Sequence, residues 1–227
     1  MSLPRATLFD KLPKNTDSKE TPAIRLFLDF DGTLTGRPGR ETVSSDLYKS
    51  LQKNREAFYS GAEFIEFKDM IVTLQKGLEK NKDMKLVEGA LCFLKTMLEY
   101  NAEIVIISRN RQEYIKAVLQ AEGADEKEIA KIRIEDTNTK IGNKLQVVAS
   151  FLKNASSKAD VIVVCDDALD DFFKMKQAVT EAGLSATLIA YGPTDDYFKQ
   201  NRRFDWAAIT KEITQKIKPD SHPRPNV

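Results

Sequence analysis

The sequence contains one histidine, His222, lying between Ser221 and Pro223. That scarcity excludes whole classes of chemistry, because a Ser-His-Asp triad, a histidine general base and a histidine metal site all lack their residue. Any catalysis must fall to carboxylates, lysine, serine or threonine. The two cysteines, Cys92 and Cys165, stand apart in apolar segments, the usual setting of buried reduced thiols, and their number excludes a disulfide framework or a zinc site. No apolar run approaches the ~18–20 residues that span a bilayer, and the first residues lack a signal-peptide core, so we expect no membrane span. Charge of neither sign prevails. With 35 Lys and Arg interspersed among 34 Asp and Glu, the net charge is +1 and there is no basic stripe for nucleic acid.

What remains is a core-forming chain. Apolar residues make up 41% of 227, enough for one large domain or a core domain with a small insertion. Strand-like runs at 24–30, 103–107, 131–134, 161–165 and 186–191 alternate with helical periodicity at 86–100, 111–121, 143–153, 169–182 and 206–217. This alternation predicts an α/β fold with a mostly parallel sheet flanked by helices. Such sheets bind ligands at the carboxyl ends of their strands, near a topological switch point. Residues 37–85 break the alternation with two amphipathic helices, near 44–59 and 63–80, and no strand. They read as a small helical insertion or as a plain helical excursion completing the fold. Residues 1–22 read as an N-terminal arm, 23–36 and 86–217 as the core, and 218–227 as a flexible proline-bearing tail. No internal repeat is present.

The first strand-like run ends in Asp29-Phe30-Asp31-Gly32-Thr33-Leu34-Thr35. Side chains at i and i+2 of an extended chain point the same way, so both carboxylates are expected to face one small space. Two like charges held close are unfavourable unless a cation or a shared proton compensates. Asp-Gly also forms ordinary turns, and Asp-x-Asp-Gly can open a calcium loop of the EF-hand type. A calcium loop needs a glutamate at its twelfth position and helices on both sides. Here a strand precedes, and Arg37, Pro38, Gly39 and Arg40 follow.

Asp-x-Asp-Gly-Thr after a hydrophobic strand resembles motif I of the haloacid dehalogenase (HAD) superfamily, whose members are mostly magnesium-dependent phosphatases. Three further segments fit the same pattern, so the resemblance covers residues 24–36 and 86–191. Ser108 closes the apolar run Ile104-Val105-Ile106-Ile107 and resembles motif II; read alone, it is also a helix N-cap. Lys144, opening an amphipathic helix, resembles the motif III lysine, with Lys140 in the preceding loop as its competitor. Asp166-Asp167-Ala168-Leu169-Asp170-Asp171 after an apolar strand resembles motif IV, although Cys165 stands where glycine is usual. Acids also suit the start of a helix, which by itself accounts for Asp170 or Asp171. The resemblance implies a Rossmann-like, HAD-like core in which residues 37–85 form a small cap of the helical C1 type.

It further implies that Asp29 is the nucleophile, Asp31 the general acid and base, and Ser108 and Lys144 the groups that hold the transferring phosphoryl. Gly32, Thr33 and Arg109 are the remaining phosphate or substrate contacts. Asp29, Asp31 through its carbonyl, Asp166 and Asp170 would serve a magnesium ion, whose preference is oxygen ligands. The expected function is hydrolysis of a phosphomonoester, on a small phosphometabolite, a phosphotyrosine or another phosphoprotein side chain. A phosphomutase or phosphotransferase of the same family would use the same residues, and an inactive HAD-like binding protein or a receiver-like signalling domain are the other readings. The expected location is the cytoplasm, or a host cell if the chain is a secreted bacterial effector.

Overall fold

The computed structural model describes residues 24–36, 85–110, 112–137, 143–154 and 159–217. Among these residues five strands form one parallel sheet: β1 (Ile24–Leu28), β2 (Glu103–Ser108), β3 (Ile132–Asp136), β4 (Val161–Cys165) and β5 (Thr187–Tyr191), in the order β3-β2-β1-β4-β5. Among the described residues the helices are α1 (Ala90–Glu99), α2 (Gln112–Ala121), α3 (Glu126–Ala130), α4 (Lys144–Asn154), α5 (Leu169–Glu181), α6 (Asp196–Asn201) and α7 (Trp206–Ile217). The fold is thus the α/β sheet expected. The expected arm, tail, cap helices and Lys140 lie outside the described residues.

The near-continuous apolar runs of the central strands arise because the sheet is covered on both faces. Alternate residues serve opposite layers. Leu26, Leu28, Ile104, Ile106, Val163 and Cys165 pack with α1, α2 and α7 through Phe93, Met97, Val118, Trp206 and Ile213. Phe27, Val105, Ile107, Ile162 and Val164 pack instead on Val148 and Leu152 of α4 and on Phe172 and Met175 of α5. From β1 the chain builds outward through β2 to β3, then returns to place β4 on the other side of β1. The strand order therefore reverses between β1 and β4, and the carboxyl ends of those strands form the switch-point crevice.

Element ends differ from the sequence expectation for local reasons. Helicity was expected from residue 86, but Leu86 bridges Thr35 and the Val87 N–H donates to the Leu34 carbonyl at 2.8 Å. Gly89, at φ 83°, then turns the chain into α1 in a left-handed conformation that glycine adopts most readily. The short α3 was missed, although Asp125 and Glu128 form a reciprocal capping box visible as Asp-x-x-Glu. β3 runs two residues further than expected because Ser108 and Asp136 still pair.

α1 and α7 are joined by stacked aromatic rings. Trp206 lies 4.6 Å from Phe93 and 6.0 Å from Phe204, centroid to centroid, and Phe204 lies 4.6 Å from Phe198. Trp206 is the only tryptophan of the chain, so its fluorescence reports this layer. Phe93→Ala should cost about 3–5 kcal/mol in urea unfolding followed by that fluorescence, whereas a loss below about 1 kcal/mol would show that the layer does not depend on the stack.

Candidate active site

The sheet's hydrogen bonding continues past the ends of its two central strands. The Asp29 N–H donates to the Cys165 carbonyl at 2.9 Å, and the Asp166 N–H to the Tyr191 carbonyl at 3.3 Å. Both carboxylates are therefore set by backbone that cannot drift. The chain then reverses at once, with the N–H groups of Leu34 and Thr35 both reaching the Phe30 carbonyl at 3.0 Å. Lys144, first residue of α4, enters from the facing helical layer and is 3% exposed. Its ammonium donates to Asp29 Oδ1 at 2.5 Å and Asp166 Oδ2 at 2.6 Å, and lies 3.9 Å from Asp171 Oδ2.

Asp167 completes the group. Carboxylate oxygens of Asp29, Asp166 and Asp167 lie within 4.8 Å of one another. Thr33, fully buried, ties Asp167 in place twice: its hydroxyl donates to Asp167 Oδ1 at 3.2 Å and accepts the Asp167 N–H at 3.0 Å. Gly32 is required between them. Its φ is 84°, and a Cβ there would stand 2.3 Å from Asp167 Oδ2.

Asp31 was expected to share one space with Asp29, but the turn after Phe30 gives it separate partners. Ser108, at the end of β2, donates to Asp31 Oδ2 at 3.2 Å. Asn110 Nδ2 donates to both carboxylate oxygens, at 3.3 and 3.2 Å. Burial, with the Asp29 charge added, pushes the Asp31 carboxyl up to about 6, and the donors from Asn110 and Ser108 restrain the rise.

Around the one Lys144 ammonium lie the carboxylates of Asp29, Asp166, Asp167 and Asp171. Burial and the charge of Asp29 push both Asp166 and Asp167 well above the ordinary carboxylate range, against the pull of Lys144. Burial by itself lowers the Lys144 ammonium, but Asp29 and Asp166 more than reverse it, so its proton is held tightly. Cys165 is fully buried; desolvation and then the Asp166 charge raise its thiol far up, so it remains an uncharged filler of the α1-side core. The usual glycine is thus replaced without intrusion into the cluster. An all-oxygen donor set carrying excess negative charge fits a hard divalent cation such as magnesium.

The expected residues separate into those brought together and those left out. Asp29, Asp31, Gly32, Thr33, Ser108, Lys144 and Asp166 converge on the carboxyl edge of the sheet. Asp170, expected near the metal, is not brought there: its side chain is 79% exposed on the outer face of α5 and pairs with Lys174. Helical geometry turns the next residue inward instead, so Asp171 is buried beside Lys144. Arg109 is largely exposed and pairs with Asp171 at 3.3 Å. Asp167, Asn110 and Asp171 carried no assigned role in the sequence reading. Asp167 could have been suspected as the second acid at the β4 end, but its bond to Thr33, 134 positions away, has no local signal.

No protein-family model and no curated protein matches the sequence. Solved structures do. The Legionella pneumophila effector Ceg4, crystallised with an N-terminal TEV protease cleavage sequence, is 23% identical, with 91% of this chain and 99% of that chain covered and a TM-score of 0.70. The HAD domain of the Legionella pneumophila effector protein Lem4 is 27% identical, with 86% of this chain and 97% of that chain covered and a TM-score of 0.66. Matched to nearly the whole of that domain, with parallel strands doubly wound about the crevice that holds Asp29 and Asp166, the chain has a HAD-like fold.

Proposed function

We propose that the protein is a magnesium-dependent phosphatase that hydrolyses a phosphomonoester through an aspartyl-phosphate on Asp29. The observation that carries this reading is the division of two carboxylates, two residues apart, between different partners. Asp29 lies against the Lys144 ammonium, whereas Asp31 is held by the neutral donors of Ser108 and Asn110 with its carboxyl raised. Paired carboxylates in unlike environments are the usual sign of divided nucleophile and acid roles.

In the first step an Asp29 oxygen attacks phosphorus and the bond from phosphorus to the leaving oxygen breaks. Asp31 gives its proton to that oxygen, releasing the alcohol. In the second step water attacks phosphorus, Asp31 takes the water's proton, and the bond between Asp29 and phosphorus breaks. Inorganic phosphate leaves and both carboxyls return to their starting state. Lys144 neutralises charge on the transferring oxygens, and the Ser108 hydroxyl turns from Asp31 to bind one of them. Gly32 and Thr33 shape the turn around the phosphate, while Arg109, steadied by Asp171, reaches substrate from beside Ser108. Asp29, Asp166 and Asp167, with the Asp31 carbonyl, would hold magnesium, which when bound supplies positive charge against the phosphoryl oxygens. The substrate is a phosphorylated metabolite or a phosphopeptide. Likeness to the Lem4 domain, part of an effector, supports a secreted bacterial effector over a cytoplasmic enzyme.

The test is hydrolysis of p-nitrophenyl phosphate and a panel of phosphorylated metabolites and phosphopeptides, with magnesium or with EDTA. Turnover should require magnesium, and Asp29→Asn should lose roughly 10⁴-fold or more. Folded wild type that turns over no member of the panel would refute the phosphatase reading. A product in which phosphate reappears on a second hydroxyl would identify a transferase instead.

Magnesium binding has its own signature. At a hundredfold excess over its Kd, magnesium should stabilise the chain by about 2.7 kcal/mol, raising Tm by roughly 5–10 °C. Asp167→Asn should shrink that rise. An equal rise in the variant would remove Asp167 from the ligand set.

A further inference from the structure

The proposed reaction asks Asp31 to move a proton in both steps, so the direction of its carboxyl matters as much as its charge. Ser108 cannot fix that direction throughout. Its one hydroxyl hydrogen points at Asp31 Oδ2 here, and the same hydrogen is needed by a phosphoryl oxygen when substrate arrives. Asn110 holds the same carboxyl through a group other than the Ser108 hydroxyl. Its carboxamide spans both oxygens of Asp31, at 3.3 and 3.2 Å. Its backbone N–H donates to Ser108 Oγ at 3.0 Å, occupying a lone pair and leaving the hydroxyl hydrogen to point elsewhere. An asparagine just before a helix ordinarily serves the helix through its side-chain oxygen. The contact to Asp31 is made through nitrogen, so it is separate from any such role.

We propose that Asn110 is the positioning residue of the proton transfers: it keeps the Asp31 carboxyl aimed at the leaving oxygen while Ser108 moves to the phosphoryl group. This inference rests on the phosphatase reading above. The amide suits the task because it can serve both protonation states. Its N–H groups donate to the carboxylate, and after rotation its oxygen accepts from the carboxylic acid. Asn110 touches neither phosphorus nor the leaving group, and acts through Asp31.

A loss of proton delivery is selective in a way that general damage is not. p-Nitrophenolate departs with little help from an acid, whereas an alkoxide needs its proton as the bond to phosphorus breaks. The experiment compares kcat/KM of wild type, Asn110→Ala and Asp31→Asn at saturating magnesium, over a series from p-nitrophenyl through phenyl to alkyl phosphates. General acid catalysis contributes about 10²–10⁴-fold, so Asn110→Ala should lose at least about tenfold more on the alkyl than on the p-nitrophenyl ester, with Asp31→Asn showing the same trend more steeply. If Asn110→Ala does not fold, Asn110→Ser, which keeps a shorter donor, should show the same trend less steeply. An equal loss across the series, or no loss on any member, would overturn the proposal while the phosphatase reading stands. A wild type inactive on the whole series would overturn both.

Discussion

Lys144 occupies a position that is electrostatically costly in two respects. Its ammonium is almost fully buried, and it sits at the first residue of α4, where the helix dipole opposes a cation. It is stable there because Asp29 and Asp166 approach it from two different strands at hydrogen-bond distance. That contact ties together a strand end on each side of the switch point and a helix from the layer above. Each partner is individually unfavourable when buried, and each becomes tolerable only in company. The acids around this one base nevertheless leave negative charge over, which is what suits the cluster to a divalent cation.

The sheet makes this arrangement rigid at little cost. Asp29 and Asp166 extend ladders of parallel hydrogen bonds already formed by β1, β4 and β5, so their backbones inherit the sheet's positions. Thr33 then fastens the turn after β1 to the turn after β4 through Asp167. The absence of a side chain at Gly32 is what lets those turns come so close. The motif's glycine and threonine thus have physical tasks within the protein itself, before any substrate is considered.

Much of this was legible in the sequence because its signals are local. Apolar runs ending in Asp29, Ser108 and Asp166 marked the strand ends that meet at the candidate site, and helical periodicity from residue 143 placed Lys144 at a helix start. What escaped depended on contacts between distant segments or on helical phase. Asp170 and Asp171 are adjacent, and only the orientation of α5 against β4 decides that Asp170 faces solvent and Asp171 faces Lys144. Asn110 had no motif to announce it; its contact with Asp31 comes from the turn that carries Asp31 away from Asp29 towards β2. Leu86 and Val87 read as helix because they are apolar, but the return of the chain beside Thr35 uses their backbone in pairing.

That turn gives the two carboxylates of one short segment different surroundings, as the two proposed roles require. Had the chain continued straight after Leu28, Asp29 and Asp31 would face the same cluster, and the second carboxylate would add repulsion where there is already too much. Reversal at Phe30 sends Asp31 to the β2 side, where its surroundings are neutral donors rather than an ammonium. Burial, with the charge of Asp29 added, raises the Asp31 carboxyl, and a raised carboxyl holds a proton it can give away. Asp29 instead keeps the Lys144 ammonium at hydrogen-bond distance, the kind of partner that the proposed nucleophile would need. The difference between the two aspartates is therefore made by backbone direction, over a span of two residues, rather than by any difference in their chemistry.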